Sequence, residues 1–229
     1  MLEGQLTHAV LLVALLAGVF VAQSLWQPAG SGAFAGLSTS VWFAIALAVP
    51  IVHQLFVVAA WRLQLDRTLR DPRRRERDGA SKTTSAGFIA YLVVFFVLFA
   101  ARMASVIALS ISNAAAVDVS PAPRIIVAVL LAIPSFYLFY SVTRYFGFIR
   151  AAGADHFDAR YRSMPLVRRG IFRYSRNSMY VYGLLALWIP GIIAAAPAAV
   201  LAAAFQHAYI WVHYYCTELP DMRRIYGSA

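Results

Sequence analysis

Residues Phe88 to Ile111 read FIAYLVVFFVLFAARMASVIALSI, a run with one charged side chain, Arg102, and neither proline nor glycine. A helix needs about 20 mostly apolar residues to cross the hydrocarbon core of a bilayer, and this run is long enough. Working outward, Leu6–Trp26, Val41–Trp61 and Ile125–Tyr140 qualify in the same way, while Met179–Tyr215 carries two more segments broken at Pro190-Gly191 and Pro197. The chain as a whole agrees: of 229 residues, 61% are hydrophobic and 13% charged, and the mean hydropathy is +0.67. Such a balance excludes a water-soluble surface. The expected fold is an all-α polytopic membrane protein with about six membrane segments, the last two forming a hairpin. The first run is expected to be an ordinary span and not a cleavable signal, because its amino-terminal region holds Glu3 and His8 but no Lys or Arg.

Charge sets the expected orientation. Lys and Arg number 20 against 10 Asp and Glu, for a formal net charge of +10, and every basic residue except Lys82 is arginine. Two stretches collect them: Arg62, Arg67, Arg70, Arg73, Arg74, Arg75, Arg77 and Lys82 in the first, and Arg144, Arg150, Arg160, Arg162, Arg168, Arg169, Arg173 and Arg176 in the second. By the positive-inside rule both are cytoplasmic. Gln27–Ser40 carries no charge and Ser112–Pro123 only Asp118, so those loops belong outside, with both termini cytoplasmic. The first arginine run is interleaved with Asp66, Asp71, Glu76 and Asp78 between two spans. It reads as topology and lipid-headgroup contact and not as a nucleic-acid patch. The division expected is residues 1–146, four spans with an Arg-rich cytoplasmic loop at 62–86, and residues 147–229, an interfacial segment plus the hairpin.

Several classes drop out. A single cysteine, Cys216, leaves no disulfide framework and no multi-Cys zinc or iron–sulfur site, and no metal is expected. The two halves show no repeat, which weakens a transporter built from inverted repeats. Gly30-Ser31-Gly32 has no strand before it and is no nucleotide fingerprint. His53 and Arg102, inside spans, are read as packing groups that hydrogen-bond a backbone carbonyl or another helix.

Chemistry concentrates in the carboxyl-terminal third. At helical spacing His207, Trp211, Tyr214 and Glu218 form one stripe. Ionisable groups at a membrane edge face a protein interior or a water-filled cavity, not lipid. Because the last two spans form a hairpin, Arg176 at the start of one and Glu218 at the end of the other lie at the same end. A zwitterion bearing an ammonium and a carboxylate suits such a pair, with aromatic faces for a further cationic centre. S-adenosylmethionine has this charge pattern, as do other amino-acid-like ligands and lipid headgroups. Alternatively, Glu218 pairs with Arg176 or Arg173 as an interfacial lock. Asp155 and His156 are a candidate base pair on the interfacial segment, although a lone Asp-His on such a loop is more often a helix cap or solvated pair.

Three motifs narrow the choice. Arg176-Asn-Ser-Met-Tyr-Val-Tyr-Gly183 resembles the Arg-His/Asn-Pro-Met-Tyr-x-Gly motif of the integral-membrane methyltransferases, the group of isoprenylcysteine carboxyl methyltransferase and phosphatidylethanolamine N-methyltransferase. Glu218-Leu-Pro-Asp-Met-Arg-Arg-Ile-Tyr-Gly227 is similar to that group's Glu-Glu-Pro-x-Leu-x-x-x-Phe/Tyr-Gly motif, and Gly170-Ile-Phe-Arg-Tyr174 to its Gly-Pro-Tyr-Arg-Tyr lead-in. Ser178 stands where the group has proline, Tyr182 where it has glycine, and Leu219 where it has a second glutamate. The resemblance implies S-adenosylmethionine in a cytoplasm-facing pocket, with Tyr174, Arg176, Tyr180 and Glu218 at matching positions; Gly183, one place beyond the group's glycine, and the stripe residues His207, Trp211 and Tyr214 complete the expected cofactor-binding set. It further implies membrane lipid as partner and a lipophilic acceptor, marginally a phospholipid amine. The alternatives are a prenylcysteine-type carboxyl or small-thiol acceptor, an NADPH-dependent membrane reductase, and a non-enzymatic scaffold or transporter.

Overall fold

In lipid a chain can satisfy its backbone polar groups only within helices or closed barrels. The computed structural model, which describes residues 3–26, 32–70 and 86–227, is helical accordingly. Helix α1 covers Gln5–Trp26, α2 Thr39–Arg70, α3 Ala86–Ser112 and α4 Pro121–Ser141. These four are long and apolar enough to cross a membrane. A short helix α5, Phe148–Ala151, and another, α6, Ala159–Arg162, belong to the interfacial segment. The hairpin follows. Its first arm is α7, Ser178–Tyr182, a 3-10 turn Gly183–Leu187 and α8, Trp188–Ile193. Its second arm is α9, Pro197–His213, and α10, Leu219–Tyr226, continues beyond a π turn at Tyr214–Glu218. The six expected segments are thus four full-length helices and two shorter arms, each roughly 25 Å at 1.5 Å per residue.

Two features differ from the sequence reading. A two-residue hairpin, β1 Ala33–Phe34 with β2 Leu37–Ser38, precedes α2. In addition, α2 runs past Trp61 and carries Arg62 and Arg67, which the charge pattern assigned to a loop. Of the expected loop at 62–86, residues 71–85 lie outside the described residues, as do Gly30 and Ser31.

Contacts sort the chain into two ends. At one end Gln5 Nε2 donates to Thr217 Oγ1 at 3.2 Å, Arg62 Nη2 to the Glu3 carbonyl at 3.3 Å, and Arg224 pairs with Glu3. The interfacial residues Asp155 and His156 join this end through α10. At the other, Thr39 Oγ1 donates to the Ser112 carbonyl at 2.8 Å, the Ala198 amide to Asn113 Oδ1 at 2.9 Å, and Arg124 Nη1 to the Ile193 carbonyl at 2.6 Å. Alternate ends follow one another along the chain as the expected crossings require.

Packing centres on α9. Ala198, Ala199, Ala202 and Ala203 are fully buried, and small side chains let membrane helices approach closely. A second, polar stripe runs down the same helix into α10: Gln206, Tyr209, His213, Thr217 and Asp221, all buried. Between them its members meet all three of the helices α1, α2 and α3. Gln206 accepts from Arg102 Nε on α3 at 3.0 Å and donates to the Ala46 carbonyl on α2 at 3.0 Å. Tyr209 meets His8 on α1 at 2.9 Å, and His213 lies 5.7 Å from the Trp61 ring. Asp221 pairs with Arg62. Arg102 is therefore a packing group, as expected; His53 stands edge-on to Phe95 at 4.8 Å.

Candidate functional site

The expected stripe forms a cluster. The Tyr180 ring from α7 lies 5.8 Å from Trp211 and 5.5 Å from Tyr214, and Trp211 meets Tyr214 edge-on at 5.8 Å. Tyr180 donates its hydroxyl hydrogen to Glu218 Oε2. Helix spacing explains the geometry, since residues three and four apart on α9 and the π turn that continues it stay on one side, and the hairpin turns that side toward α7.

Glu218 lies past the end of α9, partly buried. Among the described residues no basic side chain pairs with it. Burial pushes its pKa up to about 7; His156 opposes the rise, while Asp155 and Asp221 add to it. A carboxylate held near three aromatic faces without a cationic partner is an uncompensated site for a cation. The alternative lock between Glu218 and Arg176 or Arg173 does not form: Arg176 is exposed, and Arg173 turns to Tyr174, its guanidinium 4.6 Å over that ring.

The remaining candidates sit apart from this cluster. Tyr174 is 62% exposed and engaged with Arg173. Gly183 serves close packing, since a Cβ there would lie 2.8 Å from Leu138 Cδ2 on α4. His207 is one turn deeper, where its Nδ1 accepts from Trp188 Nε1 at 3.2 Å. Trp188 was not among the expected residues; its only sequence signal is a polar-tipped ring on the facing arm.

Asp155 and His156 do pair, Nδ1 to Oδ1 at 3.1 Å, but they face inward. His156 is 1% exposed, stacked 4.0 Å from the Trp61 ring, with its Nε2 3.6 Å from Asp221 Oδ2. Asp221 in turn contacts Arg62, Nε to Oδ1 3.0 Å, an ion pair without an aligned hydrogen bond. Tyr226 donates to Asp155 Oδ2 at 3.0 Å. Desolvation works against the charged form of His156, yet the two flanking carboxylates outweigh it and its pKa is raised. The Asp155 carboxyl is held below its ordinary value: burial opposes this, and the His156 and Tyr226 hydrogen bonds overcome it. Gly153 makes this close approach possible. Its φ is +83°, and a Cβ would lie 2.2 Å from the Trp61 ring. The pair is a latch between α2, the interfacial segment and α10, and Arg62, Trp61, Asp221 and Tyr226 are the members that sequence reasoning did not single out.

No curated protein and no solved structure matches the chain. Residues 123–229 match the family model described as phospholipid methyltransferase. That range, 107 of the 229 residues, holds all three motifs, the Tyr180–Glu218 cluster and α10, and over it the chain is similar to the phospholipid methyltransferase family that its motifs indicated.

Proposed function

We propose that the protein transfers a methyl group from S-adenosylmethionine to a lipophilic acceptor at the cytoplasmic membrane face, with a phospholipid amine as the favoured acceptor. The observation that carries this reading is Glu218, a partly buried carboxylate bonded by Tyr180, beside Trp211 and Tyr214, with no basic partner among the described residues. The donor set fits the cofactor. Glu218 would receive the α-ammonium, and the three rings would face the cationic sulfur. Arg176, exposed just before α7, would receive the cofactor's carboxylate. A ligand of the NADPH type would instead bring phosphates against the Glu218 carboxylate, which disfavours the reductase reading.

When bound, S-adenosylmethionine supplies a methyl group already activated by its sulfonium. The protein's contribution is then proximity, alignment and exclusion of water. With the cofactor bound, Glu218 and Tyr180 would hold its ammonium end, and the rings of Trp211 and Tyr214 would keep water from the reacting face. An amine acceptor must be neutral to attack. In this reading Asp155 and His156 do not take its proton, because His156 is enclosed by Trp61 and Asp221; they hold α10 so that Glu218 stays aimed.

Calorimetry on the purified protein with S-adenosylmethionine and S-adenosylhomocysteine tests the cofactor, and absence of binding at near-millimolar ligand defeats the proposal. Methyl-labelled cofactor incubated with total membrane lipid, and separately with a farnesylcysteine analogue, tests the acceptor. Base-stable label in a lipid headgroup is the expected result; base-labile volatile label on the cysteine analogue assigns a carboxyl acceptor instead.

A further inference from the structure

A second site lies outside the Tyr180–Glu218 cluster and shares no residue with it. After α4 the chain makes a π turn at Val142–Phe146 and then bends at Gly147. Against that turn lies the loop at 165–169, and between them is an open groove of about 380 Å³ lined by Arg144, Tyr145, Pro165, Leu166, Arg168 and Arg169 among others. Three arginines and no acidic residue line it. All three arginines are exposed, and among the described residues none pairs with an acidic side chain. Like charges gathered in this way repel one another unless an anion joins them.

The groove is built and not incidental. On one side the Ile171 amide donates to Ser141 Oγ at 3.1 Å. Gly170, at φ +60°, lets the loop lie so close that a Cβ would come within 2.5 Å of Ser141 Oγ and 3.0 Å of Tyr145 Cδ2. On the other side Arg150 donates to the Met164 and Pro165 carbonyls at 3.2–3.3 Å, which fixes the loop's start. Apolar side chains beside it are exposed: Leu166 of the groove itself is 76% exposed, and Phe148, Ile149 and Met164, next in sequence to the turn and the loop, are exposed as well. Arginines backed by exposed apolar side chains are the composition of a surface that sits at headgroup depth.

We propose that this groove binds the phosphate of an anionic phospholipid, as a lipid site separate from the methyl-transfer cluster. Phosphate oxygens take guanidinium donors in pairs, and three arginines, one on the π turn and two on the loop held against it, offer more than one such fork. A zwitterionic headgroup would set its ammonium against the arginines with no carboxylate to receive it, so the site discriminates by net charge. The Glu218 cluster has the opposite character, anionic and aromatic. The apolar rim decides between the two sources of phosphate: a lipid buries Leu166 and its neighbours, whereas free phosphate leaves them in water.

The test uses the full-length protein in nonionic detergent, titrated by thermophoresis with short-chain phosphatidylglycerol, short-chain phosphatidylcholine and inorganic phosphate. Phosphatidylglycerol is expected to bind about tenfold or more tightly than phosphatidylcholine. Inorganic phosphate is expected to compete with it, but more weakly. At about threefold for each exposed charged contact, Arg144→Gln, Arg168→Gln and Arg169→Gln together lower phosphatidylglycerol affinity about 30-fold. Arg168→Gln alone, a lighter change should the triple variant fail to fold, lowers it about threefold. Arg223→Gln, an exposed arginine elsewhere, leaves it unchanged. Equal binding of the two lipids, an unaltered affinity in the arginine variants, or an equal loss in Arg223→Gln overturns the site. Phosphate binding as tightly as the lipid overturns the lipid as its occupant. None of these readouts depends on methyl transfer, so failure here leaves the cofactor assignment standing.

Discussion

Replacing Glu218 by glutamine should make the protein more stable and a poorer binder at the same time. The Glu218 pKa rises from its ordinary 4.5 to about 7, with burial the largest cause. A carboxyl whose folded pKa exceeds its unfolded value binds more protons folded than unfolded between those two values. Stability therefore falls as pH rises through about 4.5 to 7 and stays lower above. At about 1.4 kcal/mol per pKa unit, keeping the charge at pH 8 costs on the order of 3 kcal/mol. Glutamine has nearly the same shape, keeps an oxygen for the Tyr180 hydroxyl, and carries no such cost. At about 2–4 °C per kcal/mol for a chain of this size, the unfolding midpoint of Glu218→Gln at pH 8 should rise by roughly 6–12 °C, and at pH 4.5 by nearly nothing. Binding moves the other way. A hydrogen bond to a charged group contributes about 1.5–3 kcal/mol, so affinity for S-adenosylhomocysteine should drop about 10- to 100-fold at pH 8. The wild-type affinity should itself climb nearly tenfold per pH unit below 7, as the carboxyl ionises, and the glutamine variant should lack that slope. Thermal unfolding in detergent and calorimetry across pH 5 to 8 check both arms. A variant that binds within threefold of wild type, or that melts lower at pH 8, refutes the cation-site assignment.

Other parts of the structure make separate predictions. Asp221→Asn leaves the buried Arg62 guanidinium without its counter-charge and should destabilise the fold by about 3–5 kcal/mol, measured as a drop in unfolding midpoint; the double change Arg62→Met with Asp221→Leu should recover most of it. His156 has a raised pKa, so its contribution to stability is complete below about 6.5 and is lost as pH rises through its folded value. His156→Gln should therefore remove the part of the stability loss that lies above pH 6.5 while keeping the part below it that belongs to Glu218. Both termini are expected in the cytoplasm. A cysteine introduced at exposed Val117, in a chain whose buried Cys216 is replaced by serine, should react with an impermeant reagent only from outside, and one at Leu166 only from inside; the reverse pattern overturns the orientation.

Which parts of this protein its sequence determines follows from the range of the forces involved. The four full-length spans were evident from composition because crossing a bilayer is a local demand: about 20 apolar residues in a row suffice, whatever they later touch. The cluster of Tyr180, Trp211, Tyr214 and Glu218 was evident for a related reason, since three of its members lie on one helical face and the fourth on the adjoining arm of a hairpin. Arg62 illustrates the limit. In sequence it opens an arginine run and reads as a topology signal, but in the fold it is buried against Asp221, 159 positions away. The stripe from Gln206 to Asp221 was present in the sequence at regular spacing. Its meaning came only with His8, Ala46, Arg102 and Arg62 from three other helices, which tertiary packing brings together. The same holds for Asp155 and His156. Their adjacency was plain, but whether such a pair faces solvent or closes on Trp61 depends on which helix lies above it. In a bilayer the lipid is as apolar as the helices themselves, so apolar burial does not select partners; polar contacts between distant segments do, and a distant contact has no local signature.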